Sequence, residues 1–91
     1  MWRMKIEFDP IKAASNLKKH DVAFEEARSA VSDPSSIVIE DPDSQGEARF
    51  ILIGMSSKLR LLTVVYSLPD EDTIRLISAR LSTSKEEKYY A

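Results

Sequence analysis

Thr73-Ile74-Arg75-Leu76-Ile77-Ser78-Ala79-Arg80-Leu81 is the stretch whose reading decides the fold. Its β-branched and apolar residues favour a buried strand, yet two arginines interrupt them, and a guanidinium is costly to bury unless an anionic or polar partner receives it. Taken alone, both side chains can run their alkyl stems over a sheet and hold their charged ends in water or against Asp and Glu. Arg75 and Arg80 are an odd number of positions apart, so a regular strand points them to opposite faces. They can share a site only if the strand bulges, twists strongly or ends between them.

Upstream, residues 48–55 and 59–68 are further apolar, β-rich runs joined by Ser56-Ser57-Lys58, and Pro69-Asp70-Glu71-Asp72 leads into the Thr73 strand. Links this short predict an antiparallel meander. Arg49 and Arg60 bring the arginines on these three strands to four, which raises the case for an anion-binding face. Asp41-Pro42-Asp43-Ser44-Gln45-Gly46 has the composition of an exposed loop, and Ile37-Val38-Ile39 before it is a short strand candidate.

The front of the chain reads as a strand and two helices. Residues 4–8 alternate apolar and polar side chains, and Asp9-Pro10 supplies a cap and a first helical residue without an N–H. The helix that follows is expected to run to about Lys19, with Ile11, Ala14 and Leu17 as its apolar stripe. Lys18-Lys19-His20 at its carboxyl end complements the helix dipole, a structural explanation for these cations. A second helix is predicted from Val22 to about Ser32, stopped by Asp33-Pro34. Residues 82–91 read as a closing helix, with Thr83 and Glu86 spaced as a capping box.

At 91 residues the chain is expected to form one domain, residues 1–91, around one core. It has no cysteine, so neither disulfides nor thiolate metal sites are available, and a reducing cytoplasm is compatible. Charges in Met1-Trp2-Arg3-Met4-Lys5-Ile6-Glu7 break any signal-peptide core, and no run approaches the roughly 18 apolar residues of a membrane span. The net charge of −2 is uneven: residues 1–47 hold 6 Lys/Arg against 10 Asp/Glu, residues 48–91 hold 7 against 5. Nucleic-acid binding would therefore rest on a local basic patch rather than bulk charge. Gly-rich phosphate loops, paired metal-binding histidines and nucleophile elbows are absent. What remains is Arg, Lys, one His, Tyr and carboxylates, a set suited to metal-free work on phosphodiesters.

Phe8-Asp9-Pro10 with Lys12, Asn16-Leu17-Lys18-Lys19-His20, Val22, Phe24-Glu25-Glu26-Ala27, Asp33-Pro34, Arg49, Gly54 and Ile74-Arg75-Leu76-Ile77-Ser78-Ala79-Arg80 with Thr83, Glu86 and Tyr90 resemble the BrnT family of bacterial toxins. The likeness spans nearly the whole chain. Phe8, Asp21, Ala23 and Glu87 stand where the family commonly has Trp, Gly, Ser and Arg; Ala23 removes a helix cap worth about 1 kcal/mol unless Asp21 takes over.

The resemblance implies an α+β, RelE-like fold, a small antiparallel sheet with two N-terminal helices and a C-terminal helix. It also implies a cytoplasmic ribonuclease that halts translation, with no cofactor and no metal. A BrnA-type antitoxin would neutralise it in a hetero-oligomer and contact operator DNA on its behalf; no membrane is involved. The expected catalytic residues are Lys19, His20, Arg75, Arg80 and Tyr90, and the expected RNA-binding residues are Arg49, Arg60 and Lys18. Attack of a ribose 2′-hydroxyl on phosphate needs a proton acceptor, cations for the developing charge and a donor for the leaving oxygen. Arg75, Arg80 and Arg49 suit the phosphate. His20 suits acid–base work near neutral pH, with Lys19 in support and Tyr90 as an alternative proton carrier. The rival reading is an inactive homologue that binds the antitoxin as a co-repressor.

Overall fold

A computed structural model of the chain describes residues 4–44 and 46–90. Met1-Trp2-Arg3 of the stretch read as breaking a signal-peptide core, Gln45 of the loop and Ala91 of the closing helix lie outside the described residues. The elements are β1 (Lys5–Glu7), α1 (Pro10–His20), α2 (Phe24–Val31), β2 (Ile37–Glu40), β3 (Arg49–Met55), β4 (Leu61–Asp70), β5 (Thr73–Leu81) and α3 (Ser84–Glu87). They form one five-stranded sheet in the order β1-β5-β4-β3-β2, with α1 packed on β5 and α2 on β3, β4 and β5. The α+β class and the β3–β4–β5 meander are as expected. The sheet is not wholly antiparallel, however: β1 runs parallel to β5, Ile6 opposite Ile74. A helical pair carries the chain from β1 across to the far side of the sheet, which allows the parallel return.

The residues that pattern β5 as a buried strand also break its regularity. Val65 and Tyr66 of β4 face Ser78 and Leu76, leaving Ile77 unopposed, a bulge that reverses side-chain parity. Ile74, Leu76 and Ala79 all enter the core on the helix side. Consequently Arg75, opposite Ser67, and Arg80, opposite Thr63, both belong to the outer face. Pro69 falls inside β4, at the second register irregularity, between Ser67 and Asp70, where a missing N–H is tolerated.

Helix α1 begins where Asp9 accepts the Ile11 N–H at 2.8 Å, and it ends at Asp21, a left-handed residue (φ 57°). The expected apolar stripe is corrected: Ile11 is 79% and Leu17 48% exposed, and the helix instead turns Ala13, Asn16 and His20 inward. Asn16, buried, donates to the carbonyls of Val22 (2.9 Å) and Ala79 (2.8 Å) and accepts the Ala79 N–H (3.1 Å). Because β1 pairs only with residues 73–75, the edge of β5 beyond them has no neighbouring strand among the described residues. The Asn16 amide, donor and acceptor in one group, satisfies that edge as a peptide would. This polar demand outweighs the hydrophobic pattern.

Helix α2 is shorter than expected and starts after Ala23, which makes no side-chain cap; Asp21 ends α1 and does not replace it. Its inner residues Phe24, Ala27 and Ala30 join Val22, Leu52, Leu62, Val64 and Leu76 in the core. Gly54 allows this close packing, since a Cβ there would lie 2.5 Å from the Ala30 carbonyl oxygen. The closing helix is also corrected, to the four residues Ser84–Glu87, although the Thr83/Glu86 capping box forms as read.

Candidate functional site

The outer face of the sheet carries three of the four strand arginines. Arg49, Ser67 and Arg75 are directly opposed across β3, β4 and β5, and Arg80 lies further along β5 beside Thr63. Each arginine is already engaged. Arg49 Nη2 donates to Asp41 Oδ2 at 2.9 Å, Arg75 Nε to Glu7 Oε2 at 2.8 Å with Glu47 at 3.6 Å, and Arg80 forks onto Glu86 at 2.7 and 2.8 Å. Arg49 Nε and Ser67 Oγ are buried without partners among the described residues, a donor and an acceptor at opposed positions.

The Arg80–Glu86 fork draws the C-terminal segment across this face. Glu86 Oε1 also accepts from Thr63 Oγ1 (3.0 Å) and the Thr83 N–H (2.8 Å). The Arg80 guanidinium is the main reason its carboxyl is held down to about 2. Further on, Tyr89 closes an apolar cavity of about 250 Å³ lined by Ile37, Ile39, Ile51 and Ile53. Tyr90 then donates its hydroxyl to Asp33 Oδ2 at 2.5 Å. Asp33 also receives the N–H groups of Met55 (2.8 Å) and Ser35 (2.9 Å), which lower its carboxyl. The Asp33 bond raises the Tyr90 phenol above its ordinary range, so Tyr90 holds its proton tightly.

Lys18, Lys19 and His20 lie elsewhere, at the carboxyl end of α1 on the helix-covered side. Arg60 is the strand-adjacent arginine that reaches them: its Nη2 donates to the Asp21 carbonyl at 3.2 Å, while Nε and Nη2 clasp the buried Glu26 carboxylate. That clasp, with help from Ser56, keeps the Glu26 carboxyl below its usual range despite burial. The structure thus sorts the sequence-selected residues into two groups. Arg49, Arg75, Arg80 and Tyr90 share the outer face and its rim; Lys18, Lys19, His20 and Arg60 share the end where α1 meets the β3–β4 turn.

Sequence reading missed the carboxylates that occupy the arginines. The spacing of Glu86 from Thr83 reads fully as a capping box, and nothing in it signals that the carboxylate also meets Arg80. Asp41, Glu7 and Glu47 come from separate segments and are joined only by the sheet register. Among the described residues no group of His, Asp and Glu has metal-site geometry, and no helix is long and apolar enough to cross a membrane.

No curated protein sequence matches the chain significantly. Among solved structures, the ribonuclease toxin BrnT of Brucella abortus, determined at 1.1 Å, superposes with a TM-score of 0.69 at 23% identity, over 89% of this chain and 99% of that one. At that identity the likeness speaks for the fold. The family model described as the ribonuclease toxin BrnT of type II toxin–antitoxin systems matches residues 8–86, from Phe8 on the inner face to the Glu86 that holds Arg80. The chain belongs to the BrnT toxin family of type II toxin–antitoxin systems.

Proposed function

We propose that this protein is a cytoplasmic endoribonuclease that blocks translation by cutting RNA and is neutralised by a BrnA-type antitoxin, through which alone it meets operator DNA. The family match over residues 8–86 carries this reading. The bulge at Ile77 supports it, because it gathers Arg75 and Arg80 on one face. Their β4 partners, Ser67 and Thr63, are four residues apart, about 13 Å along a strand, so the two guanidinium groups serve different phosphates of one RNA strand. Arg49, across Ser67 from Arg75, serves the same phosphate as Arg75.

RNA binding on this face exchanges carboxylate for phosphate at each arginine. The exchange keeps charge-assisted hydrogen bonding that suits both anions, so its cost is that of freeing Asp41, Glu7 and Glu86 into water. Positive charge held against the non-bridging oxygens then stabilises the pentacovalent transition state. Lys19 and His20, on the helix-covered side at the carboxyl end of α1, contact the strand beyond, with His20 as the side chain suited to proton transfer near neutral pH.

One observation favours a second reading, in which the protein binds its antitoxin and cuts nothing: among the described residues all four strand-associated arginines are already paired with the chain's own carboxylates. Parallel induction of the wild-type chain and Arg80→Ala, at matched soluble levels, separates the two. Growth arrest with RNA loss that Arg80→Ala abolishes supports the ribonuclease. A folded wild-type protein that leaves growth and RNA intact sinks it.

A further inference from the structure

The tip of the β3–β4 hairpin carries a residue that neither packing nor backbone preference explains. Ser56-Ser57-Lys58-Leu59 forms a turn closed by the Leu59 N–H on the Ser56 carbonyl at 2.9 Å, and Leu59 has φ 62°. Turns of this kind place glycine at the left-handed position, because a Cβ there crowds the following carbonyl. Here a leucine occupies it and is 83% exposed. Backbone strain and a solvated isobutyl group are both unfavourable for the isolated chain, and residues held in such conformations concentrate at binding sites.

The surroundings of Leu59 are specific. The next residue, Arg60, ties the turn to the carboxyl end of α1 through the Asp21 carbonyl and to α2 through Glu26. Ser57 N–H adds a bond to Ser29 Oγ at 2.8 Å, so the tip is held and not free to relax. Asp21, at φ 57°, is the other non-glycine residue with positive φ among those described, so both outliers meet at this one end. The exposed Lys18 and Lys19, with His20, close α1 just before Asp21, and Arg60 and the exposed Lys58 flank Leu59; Asp21, Glu25 and Glu26 are the carboxylates of these segments, and Glu26 is buried and consumed by Arg60. A chain of net charge −2 thus presents an excess of positive charge around an exposed apolar side chain.

We infer that the hairpin tip is an RNA-contact site, in which Lys18, Lys19 and Lys58 hold the phosphate backbone of a single strand and Leu59 packs against an unstacked base. The inference deepens the ribonuclease reading and rests on it for the identity of the ligand. Lysines fit a phosphate backbone as point charges, and an apolar side chain among them offers a base a surface that water does not. A protein seated on the same tip is the alternative occupant, and the experiment distinguishes that case.

The probe is a fluorescein-labelled single-stranded 2′-O-methyl oligoribonucleotide, which binds but cannot be cut by 2′-hydroxyl attack, followed by anisotropy at low salt. Leu59→Gly is expected to weaken binding about tenfold while raising the urea midpoint of unfolding, because glycine relieves the strain. Lys58→Ala is expected to weaken binding and reduce the salt dependence by about one ion. Loss of binding together with a gain of stability cannot come from misfolding and supports the site. The inference is overturned if the wild-type chain does not bind the oligonucleotide, if Leu59→Gly binds it as well as wild type, or if that variant loses affinity only for an antitoxin. Binding that behaves as expected in a chain that cuts no RNA would remove the ribonuclease reading and leave the contact site standing.

Discussion

Replacing Glu86 by Gln tests the joint between the C-terminal segment and the sheet. The carboxylate accepts both Arg80 nitrogens, Thr63 Oγ1 and the Thr83 N–H, and its side chain is 22% exposed. Its carboxyl is held at about 2, from an ordinary value of 4.5. That difference corresponds to about 3 kcal/mol in favour of the ionised form. Arg80 is 41% exposed, so solvent screens part of the attraction and about 2 kcal/mol is the expected contribution to stability. A depressed folded-state value contributes fully above the unfolded value of 4.5 and is lost as pH falls from there through about 2. Glutamine keeps an acceptor for the Thr83 N–H but turns an NH2 group toward the guanidinium. Urea unfolding of both proteins, followed by far-ultraviolet circular dichroism, should therefore show Glu86→Gln less stable by about 2 kcal/mol at pH 7, with the gap shrinking toward pH 2. The other lowered carboxyls, Glu26, Asp33 and Asp70, are common to both proteins and cancel in the difference. Equal stability at pH 7, or a gap that does not narrow in acid, would refute this account of the fork.

Asn16→Ala removes three hydrogen bonds and leaves both backbone groups of Ala79 buried and unpaired. We expect a loss of about 3 kcal/mol in urea unfolding, and Asn16→Leu to rescue little of it despite its apolar bulk. Gly54→Ala sets a methyl group 2.5 Å from the Ala30 carbonyl oxygen, so α2 must lift from β3; a drop of at least about 2 kcal/mol, read as a lower thermal midpoint, is expected.

Much of the architecture was legible because local signals and tertiary demands agree. Asp9-Pro10 starts α1, Asp33-Pro34 follows α2, and the apolar runs after Ala48 become a meander. The helix face failed for a physical reason: Ile11, Ala14 and Leu17 make the better apolar stripe, but the unpaired edge of β5 needs a donor and an acceptor, and Asn16 supplies both. Parallel pairing of β1 with β5 joins residues 68 positions apart and leaves no local mark. The bulge was legible only as a condition, since odd spacing between Arg75 and Arg80 states what a shared face would require without revealing whether Ile77 provides it. Which carboxylate meets which arginine was not legible, because Asp41–Arg49, Glu7–Arg75 and Glu26–Arg60 depend on register and helix placement.

The position of β5 between β1 and β4 also governs the order in which the protein can assemble. During synthesis β1 and α1 emerge first but have no strand to join, because the partner of Ile6 is Ile74 and the anchor of Asn16 is Ala79. Closing such long loops is slow compared with forming the β3–β4 hairpin. The outer face gains Arg75 and Arg80 in the same step that completes the core. A nascent chain therefore carries the hairpin long before it carries a paired arginine face, and the two arginines of β5 come to share a face only when the sheet closes.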